Sequence, residues 1–222
     1  MSFKTVLAAA IIVGGSWVPA YAQGKVEVSA IVGWTFADGV SGDGILAGDG
    51  NLYNRVDPKD SVNWGLSLGF ATQENYEVGF KFGQQMSTLE ISGTNTRDIG
   101  DITISTYHGY FGYNGFAADA KVRPYALFGL GATNYGGVSF TRLNGAAGET
   151  SGNTQFSTTF GAGVKVYASP NVGARFGIGW TPTYIKSDSE GYWCDPYWGC
   201  YVVGSAQYSS QWDFSGGIIL RF

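Results

Sequence analysis

The C-terminal segment constrains the fold of this chain more than any other part. Between Gln211 and Phe222, large apolar side chains occupy one parity, and polar or small side chains occupy the other. The apolar set is Trp212, Phe214, Ile218, Leu220 and Phe222. A period of two indicates a β-strand with one apolar and one polar face. A strand that faces lipid on one side and a polar lumen on the other requires this pattern.

The N-terminal segment has the features of a secretory signal peptide. Lys4 supplies a positive charge, residues 6–13 form a short apolar run, and Ala20-Tyr21-Ala22 matches the A-x-A cleavage motif. The apolar run is too short to span a membrane as a helix. We therefore expect a signal peptide over residues 1–22 and one mature domain over residues 23–222.

Seven further segments repeat the alternation of the C-terminal one. The predicted strands begin near residues 25, 61, 76, 102, 126, 156 and 172, and the terminal segment is the eighth. The fourth is the least regular, because Ile102 and Ile104 fit one parity while Tyr107, Phe111 and Tyr113 fit the other. This change of parity predicts a β-bulge within the strand.

The connections between these segments alternate in length. Residues 72–75, 114–121 and 169–171 are short turns, whereas the other connections are long and polar, Gly-rich or aromatic; these are 37–60, 92–101, 134–153 and 187–207. An even number of strands with short turns at one end and long loops at the other is typical of outer-membrane barrels. The predicted fold is an all-β, eight-stranded antiparallel up-and-down transmembrane β-barrel, with both termini in the periplasm. Glycines recur on the polar parity, where small residues fit a narrow lumen.

Three features carry a resemblance to a known family. They are the signal peptide, the stretch Arg-Pro-Tyr-Ala-Leu-Phe-Gly-Leu-Gly at residues 123–131, and Phe222. The chain resembles the small outer-membrane β-barrel superfamily of Gram-negative bacteria, which includes the transmembrane domain of the outer-membrane protein A type and the opacity and attachment proteins. The resemblance implies a place in the bacterial outer membrane, among its lipid and lipopolysaccharide. It also implies that Phe222 is part of the signal read by the barrel-assembly machinery.

The two cysteines lie in the last long loop. Export places Cys194 and Cys200 in an oxidising compartment, and Asp195-Pro196 favours a turn between them, so we predict a disulfide. A metal site would need further ligands of this kind, and the sequence has no other Cys. Five aromatic residues surround the pair: Tyr192, Trp193, Tyr197, Trp198 and Tyr201. They form either a knob stacked on the lipopolysaccharide rim or a binding tip for a partner or glycan.

Charged side chains also occur on the inward parity. The set is Lys25, Glu27, Glu77, Lys81, Lys165, Arg175, Asp213 and Arg221. Isolated buried charges are costly, so we expect these groups to pair and to fix the register of the barrel. The alternative is a path for an ion or solute.

The function predicted from these patterns is structural or surface interaction, meaning adhesion or recognition through the long extracellular loops. His108, the single histidine, has no serine two positions on and is interpreted as structural, so we predict neither catalysis nor a cofactor. The candidate partner is an extracellular ligand or a host surface, and the net charge of −4 argues against nucleic acid. A narrow channel for ions or small hydrophobic solutes is the alternative function, and a lipid-modifying enzyme is a more distant one.

Overall fold

The computed structural model is an all-β protein. It describes residues 26–46, 51–73, 75–141, 147–149, 151–185, 194–195, 199–200 and 207–222. The strands are, in chain order, β1 (Val26–Asp38), β2 (Val40–Leu46), β3 (Leu52–Pro58), β4 (Ser61–Ala71), β5 (Tyr76–Gly93), β6 (Thr96–Asn114), β7 (Val122–Tyr135), β8 (Ser139–Thr141), β9 (Ala147–Glu149), β10 (Asn153–Tyr167), β11 (Val172–Ile185), β12 (Cys194–Asp195), β13 (Gly199–Cys200) and β14 (Gln207–Arg221). No described residue belongs to a helix long and apolar enough to cross a membrane.

Eight of these strands close into an antiparallel barrel, which confirms the predicted fold. Their order around the barrel is β1, β4, β5, β6, β7, β10, β11 and β14, and β14 pairs with β1 to close it. Val26 has a register partner on β4, which has a partner on β5, and so on around the barrel; this series of partners returns to β1 at Phe36 and not at Val26. The strands are therefore staggered and tilted relative to the barrel axis. We term the end of the barrel that holds Val26 and Arg221 the terminal end, and the opposite end the loop end.

The two faces of the wall follow the alternation in the sequence. Along β1, for example, Val32 and Trp34 are exposed on the outside, whereas Glu27 and Ser29 are buried in the lumen. The same division holds along the other strands, so a belt of large apolar side chains surrounds the barrel. This belt is the surface that a lipid bilayer covers.

The fourth barrel strand, β6, differs from the prediction. Ile102 and Ile104 point inward on the same parity as His108, and β6 pairs with β5 without interruption from Tyr113 to Gly100. The irregularity lies farther on, opposite the step from Leu89 to Glu90. The predicted bulge between Ile104 and Tyr107 is therefore wrong.

At the loop end, the β-structure extends further than the sequence predicted. β5 and β6 continue through most of the predicted loop 92–101, and the predicted loop 37–60 contains the hairpin β2–β3, which pairs with the upper part of β5. Inside this extension lies an apolar core, formed by Val40, Tyr53, Val56, Leu89, Ile91, Ile102, Ile104, Tyr135, Val138 and Ile185. Ile102 and Ile104 are apolar and inward because they belong to this core.

Candidate functional site in the barrel lumen

The terminal end of the lumen holds a buried ion-pair cluster. Glu27 and Glu77 lie near the starts of β1 and β5, and Lys165 lies near the end of β10, so the antiparallel order brings all three to one level. The Lys165 ammonium is 2.5 Å from Glu27 and 2.8 Å from Glu77. Its side chain is only 3% exposed, so the two carboxylates supply the charge compensation that burial demands.

Each carboxylate has further partners in the same cluster. Arg221 lies 3.1 Å from Glu27, and the Tyr167 hydroxyl donates to Glu27 at 2.7 Å. The Arg221 guanidinium also stacks 3.9 Å above the centre of the Tyr167 ring. The Tyr110 hydroxyl donates to Glu77 at 2.5 Å. These charge-assisted bonds cross-link five strands, β1, β5, β6, β10 and β14, and close the terminal end of the lumen.

Arg175 lies beside this cluster without joining it. Its residue is 7% exposed, and no carboxylate of the described residues lies within 4 Å of its guanidinium. Instead the guanidinium lies 4.8 Å from the centre of the Tyr125 ring, a cation–π contact. The expectation that the inward charges pair therefore does not describe Arg175.

The middle of the lumen contains a further charged pair and a small cavity. Lys81 and Asp213 are 3.5 Å apart, and their side chains retain 19% and 18% exposure. This pair is therefore longer and more exposed than the contacts of Lys165 at the terminal end. The cavity beside them has a volume of about 50 Å³. Gly65 and Gly83 face each other across β4 and β5 at this level and both line the cavity. A cavity of this size has room for only a few water molecules.

His108 is part of a buried hydroxyl network. Its Nε2 atom is 2.9 Å from Ser157 Oγ, Thr133 donates to the same oxygen at 2.9 Å, and Thr183 donates to Thr133 at 3.0 Å. A serine within hydrogen-bond reach of a histidine is the geometry of an activated nucleophile. Here, however, His108 is 1% and Ser157 0% exposed, so both are enclosed. The sequence offered no local signal for this contact, because the two residues lie on β6 and β10.

Two basic side chains are engaged in ion pairs on the loop-end extension, outside the barrel wall. Arg55 bonds Asp57 at 2.7 Å and also pairs with Asp38; the hydrogen bond to Asp57 is the main cause of its raised pKa. Lys59 lies 2.6 Å from Asp98 and 3.3 Å from Glu90, and the hydrogen bond to Asp98 raises its pKa. Both cations are therefore held in their charged form by acidic neighbours.

The predicted disulfide falls on a small separate sheet. β12 and β13 pair so that Cys194 stands directly opposite Cys200. Directly opposed residues of antiparallel strands have Cα atoms about 4.5–5.5 Å apart, within the range that a disulfide spans. The loop aromatics Tyr192, Trp193, Tyr197, Trp198 and Tyr201 lie outside the described residues, as do Lys25 and residues 1–22.

Phe222 lies at the seam where the barrel closes. Its amide donates to the Val26 carbonyl at 2.9 Å, and the Val26 amide donates back at 3.1 Å. Its side chain is 73% exposed. Among the described residues, no group of three or more His, Cys, Asp or Glu side chains is arranged to hold a metal ion.

The fold and this lumen define a small outer-membrane barrel, and comparison with known proteins agrees. The chain belongs to the outer membrane protein beta-barrel domain family, whose sequence model matches residues 5–197. The protein is thus a β-barrel of the bacterial outer membrane. Comparison with curated proteins gave no match.

Several solved structures share the fold at low sequence identity. The outer membrane protein OprG from Pseudomonas aeruginosa superposes with a TM-score of 0.61 at 12% identity, covering 90% of this chain and 96% of that one. The outer membrane protein AlkL gives 0.55 at 14% identity, with coverage of 93% and 94%. Neisserial surface protein A gives 0.52 at 14% identity, with coverage of 90% and 98%. At these identities the likeness concerns the fold alone.

Proposed function

We propose that this protein is a closed barrel with a structural or surface-interaction role exercised through its loop end, and that it is not an enzyme. The observation that carries this proposal is the filled lumen. The ion-pair cluster around Lys165 occupies the terminal end, and the apolar core around Leu89 occupies the loop end. Between them lies a cavity of only about 50 Å³. Eight strands enclose an interior that side chains can fill, and here they do.

The enclosure of His108 and Ser157 supports a non-catalytic role. Both side chains are buried in the lumen, away from lipid and from the terminal and loop ends of the barrel. A substrate would have to pass the apolar core or the ion-pair cluster to reach them. We therefore assign the pair to the stability of the barrel.

The proposed orientation places both termini in the periplasm and the loop end outside the cell. In this orientation the extension of β2, β3, β5 and β6 presents its charged outer face to the surroundings. The loop around Cys194 and Cys200 would stand on the same side. The proposed partners are outer-membrane lipid and lipopolysaccharide, the barrel-assembly machinery acting on Phe222, and an extracellular ligand or host surface. Residues 1–22 are proposed to be the signal peptide that directs export.

A narrow channel is the second candidate, favoured by one observation. Lys81 and Asp213 are partly exposed to the central cavity. If the apolar core at the loop end moved aside, this charged pair would line a path from the cavity to the loop end. Planar-bilayer recordings of the purified protein separate the two functions. We expect no steady porin-sized current, because both ends of the lumen are filled. A steady current whose ion selectivity changes in Lys81→Met, but not in the loop-end control Lys59→Met, would establish the channel instead.

The surface-interaction role has its own experiment. Cells that display the wild-type protein should adhere to a host-cell monolayer better than cells that display a variant with residues 187–206 replaced by a short Gly-Ser linker. Equal outer-membrane amounts of the two proteins are the necessary control. Equal adhesion at equal amounts would refute a role for this loop.

A further inference from the structure

Every buried Asp, Glu, Lys or Arg side chain of the described residues lies at the terminal end of the lumen. Two are carboxylates and four are cations: Glu27 and Glu77 on one side of the balance, and Arg123, Lys165, Arg175 and Arg221 on the other. The buried group therefore carries a surplus of two positive charges. Uncompensated charge is costly in an interior that water reaches poorly, so a negatively charged ligand at this end would be stabilised.

Three of these cations stand side by side on the inner wall. Arg123, Lys165 and Arg175 are successive register partners on β7, β10 and β11. Lys165 contacts both carboxylates, whereas Arg175 faces the Tyr125 ring at 4.8 Å. Like charges on neighbouring strands repel each other, and the surplus is concentrated on this side of the lumen. The electrostatic potential at the adjoining mouth of the barrel is therefore positive.

A cavity of about 220 Å³ lies at this mouth, and we term it the mouth cavity. Arg221 and Tyr167 line it from the lumen side, and two turns complete it, at residues 118–121 and 168–170. The first turn folds across the mouth, because Ala118 accepts a bond from Arg221 although two strands separate β7 from β14. The mouth cavity is several times larger than the cavity in the middle of the lumen and has room for a small ligand.

Arg221 offers hydrogen-bond donors to an anion in the mouth cavity. Its side chain is 8% exposed, and its bonds to Glu27 and Tyr167 both use Nη2. The bond from Nη1 to the Ala118 carbonyl is 3.4 Å long, so this side of the guanidinium is only weakly satisfied. A guanidinium has five N–H donors in a planar fork, and an oxyanion accepts from it more strongly than a neutral carbonyl does. An anion is therefore the favoured partner for Nη1.

Two exposed residues of opposite charge stand at the rim of the mouth cavity. Lys121 and Asp119 both line it. Being exposed, they do not compensate for the buried surplus, but each changes the potential that a ligand meets: Lys121 attracts an anion and Asp119 repels it. Neither side chain belongs to an ion pair with another described residue, so each can be changed without breaking one.

We propose that the mouth cavity binds a small water-soluble oxyanion with two negative charges, of the class to which inorganic phosphate belongs. Arg221 holds the anion from inside and Lys121 from the rim, and the charge of the ligand matches the buried surplus. The anion comes from the aqueous phase and not from the bilayer, because Arg221 and Tyr167 face the lumen. The inference goes beyond the proposed surface role, which concerns the opposite end of the barrel.

The test is calorimetric titration of the folded protein with inorganic phosphate in lauryldimethylamine oxide, a detergent without phosphate. The buffer is mildly alkaline, so that phosphate is a dianion, and the ionic strength is held constant because salt screens charges. Wild-type protein should show saturable binding at one site. Lys121→Gln should weaken it about threefold, and Asp119→Asn should tighten it about threefold, as expected for charges at an exposed rim. Arg221 is kept in every variant, because its loss would also disturb Glu27.

Lys59→Gln is the matched control, since it removes the same charge from the loop end and should bind phosphate like wild type. The gel-mobility shift on heating verifies that each variant is folded. Acetate, with one negative charge, should bind more weakly than phosphate, and phosphatidylglycerol added to the micelles should not compete with phosphate.

Three results would overturn the proposal. The first is the absence of saturable phosphate binding, or an unchanged affinity in both folded rim variants. The second is equal affinity for acetate and phosphate, which would contradict the match of charge. The third is competition by phosphatidylglycerol, which would place the site on the bilayer side. None of these measurements depends on adhesion or conductance, so the proposed surface role can fail or stand separately.

Discussion

The ammonium group of Lys165 lies 2.5 Å from the carboxylate of Glu27, across the lumen of the barrel. The two residues belong to β10 and β1, which do not pair with each other. Their contact therefore ties together two parts of the wall that the backbone ladder leaves separate. Because Glu77 shares the same ammonium at 2.8 Å, one cation holds two carboxylates inside the barrel.

Loss of the Lys165 ammonium should destabilise the barrel strongly. Lys165→Met keeps much of the side-chain volume but leaves Glu27 and Glu77 with less compensating charge. Removing one partner of a buried ion pair costs about 3–5 kcal/mol. Urea unfolding in lipid vesicles, followed by tryptophan fluorescence, measures the change.

Lys59→Met is the matched control for this prediction. Lys59 also contacts two carboxylates, yet its side chain is 43% exposed at the loop end. Surface ion pairs are screened by water and contribute little, so the unfolding midpoint should not move. Equal shifts for the two variants would contradict the argument from burial.

The sequence could place Lys165 and Glu27 inside the barrel but could not pair them. Parity assigns each residue to the lumen or to lipid, because successive side chains of a strand alternate. The partner across the lumen depends on the stagger of the whole barrel, which no local pattern encodes. The contact between His108 and Ser157 was missed for the same reason, and only the closed structure brings them within 2.9 Å.

The parity rule fails where the wall leaves the membrane. Within the bilayer the outside of the wall is apolar, but in the extension the outside meets water and the inside packs against Val40 and Val56. Along β6, the apolar side chains therefore change from the outer face to the inner face of the wall, while successive side chains continue to alternate. Ile102 and Tyr107 have opposite parity and are both apolar because they lie on either side of this boundary.

Truncation of Leu89 should loosen the loop-end core and leave the barrel folded. Leu89 is 1% exposed, and replacing a buried leucine with alanine costs about 2–5 kcal/mol. Since the extension lies beyond the eight-stranded wall, we expect the loss to appear as faster proteolysis between β2 and β6. The mobility shift on heating should stay unchanged. Leu66→Ala, at a lipid-facing position that is 49% exposed, should not accelerate this cleavage.

Cys194 and Cys200 should be joined in the exported protein. Their opposed positions on β12 and β13 bring the backbones to a distance that a disulfide spans. Mass spectrometry without reduction should find the peptide two hydrogens lighter than the dithiol. Cys194→Ala/Cys200→Ala should leave the barrel folded, because β12 and β13 form a sheet separate from it. Two free thiols in protein purified from the outer membrane would disprove the pairing.

Replacing Phe222 should impair assembly in cells more than folding in detergent. The Phe222 ring is 73% exposed, so few protein contacts are lost when it is changed, and its backbone bonds to Val26 survive a side-chain substitution. Phe222→Asp should therefore refold in detergent with little loss. In cells we expect a large drop in outer-membrane protein, since we propose that the assembly machinery reads this aromatic residue.

Phe116→Asp separates recognition of Phe222 from a general need for apolar side chains. Phe116 lies at the same end of the barrel, is 66% exposed, and has a positive φ of 62°, a conformation that aspartate tolerates better than phenylalanine. This variant should assemble like wild type. Quantitative blotting of outer-membrane fractions, set beside refolding yields in detergent, gives both measurements for each variant. If Phe222→Asp lowers the outer-membrane amount and the refolding yield equally, Phe222 contributes to stability. If Phe222→Asp and Phe116→Asp lower the outer-membrane amount equally, Phe222 acts as a lipid anchor.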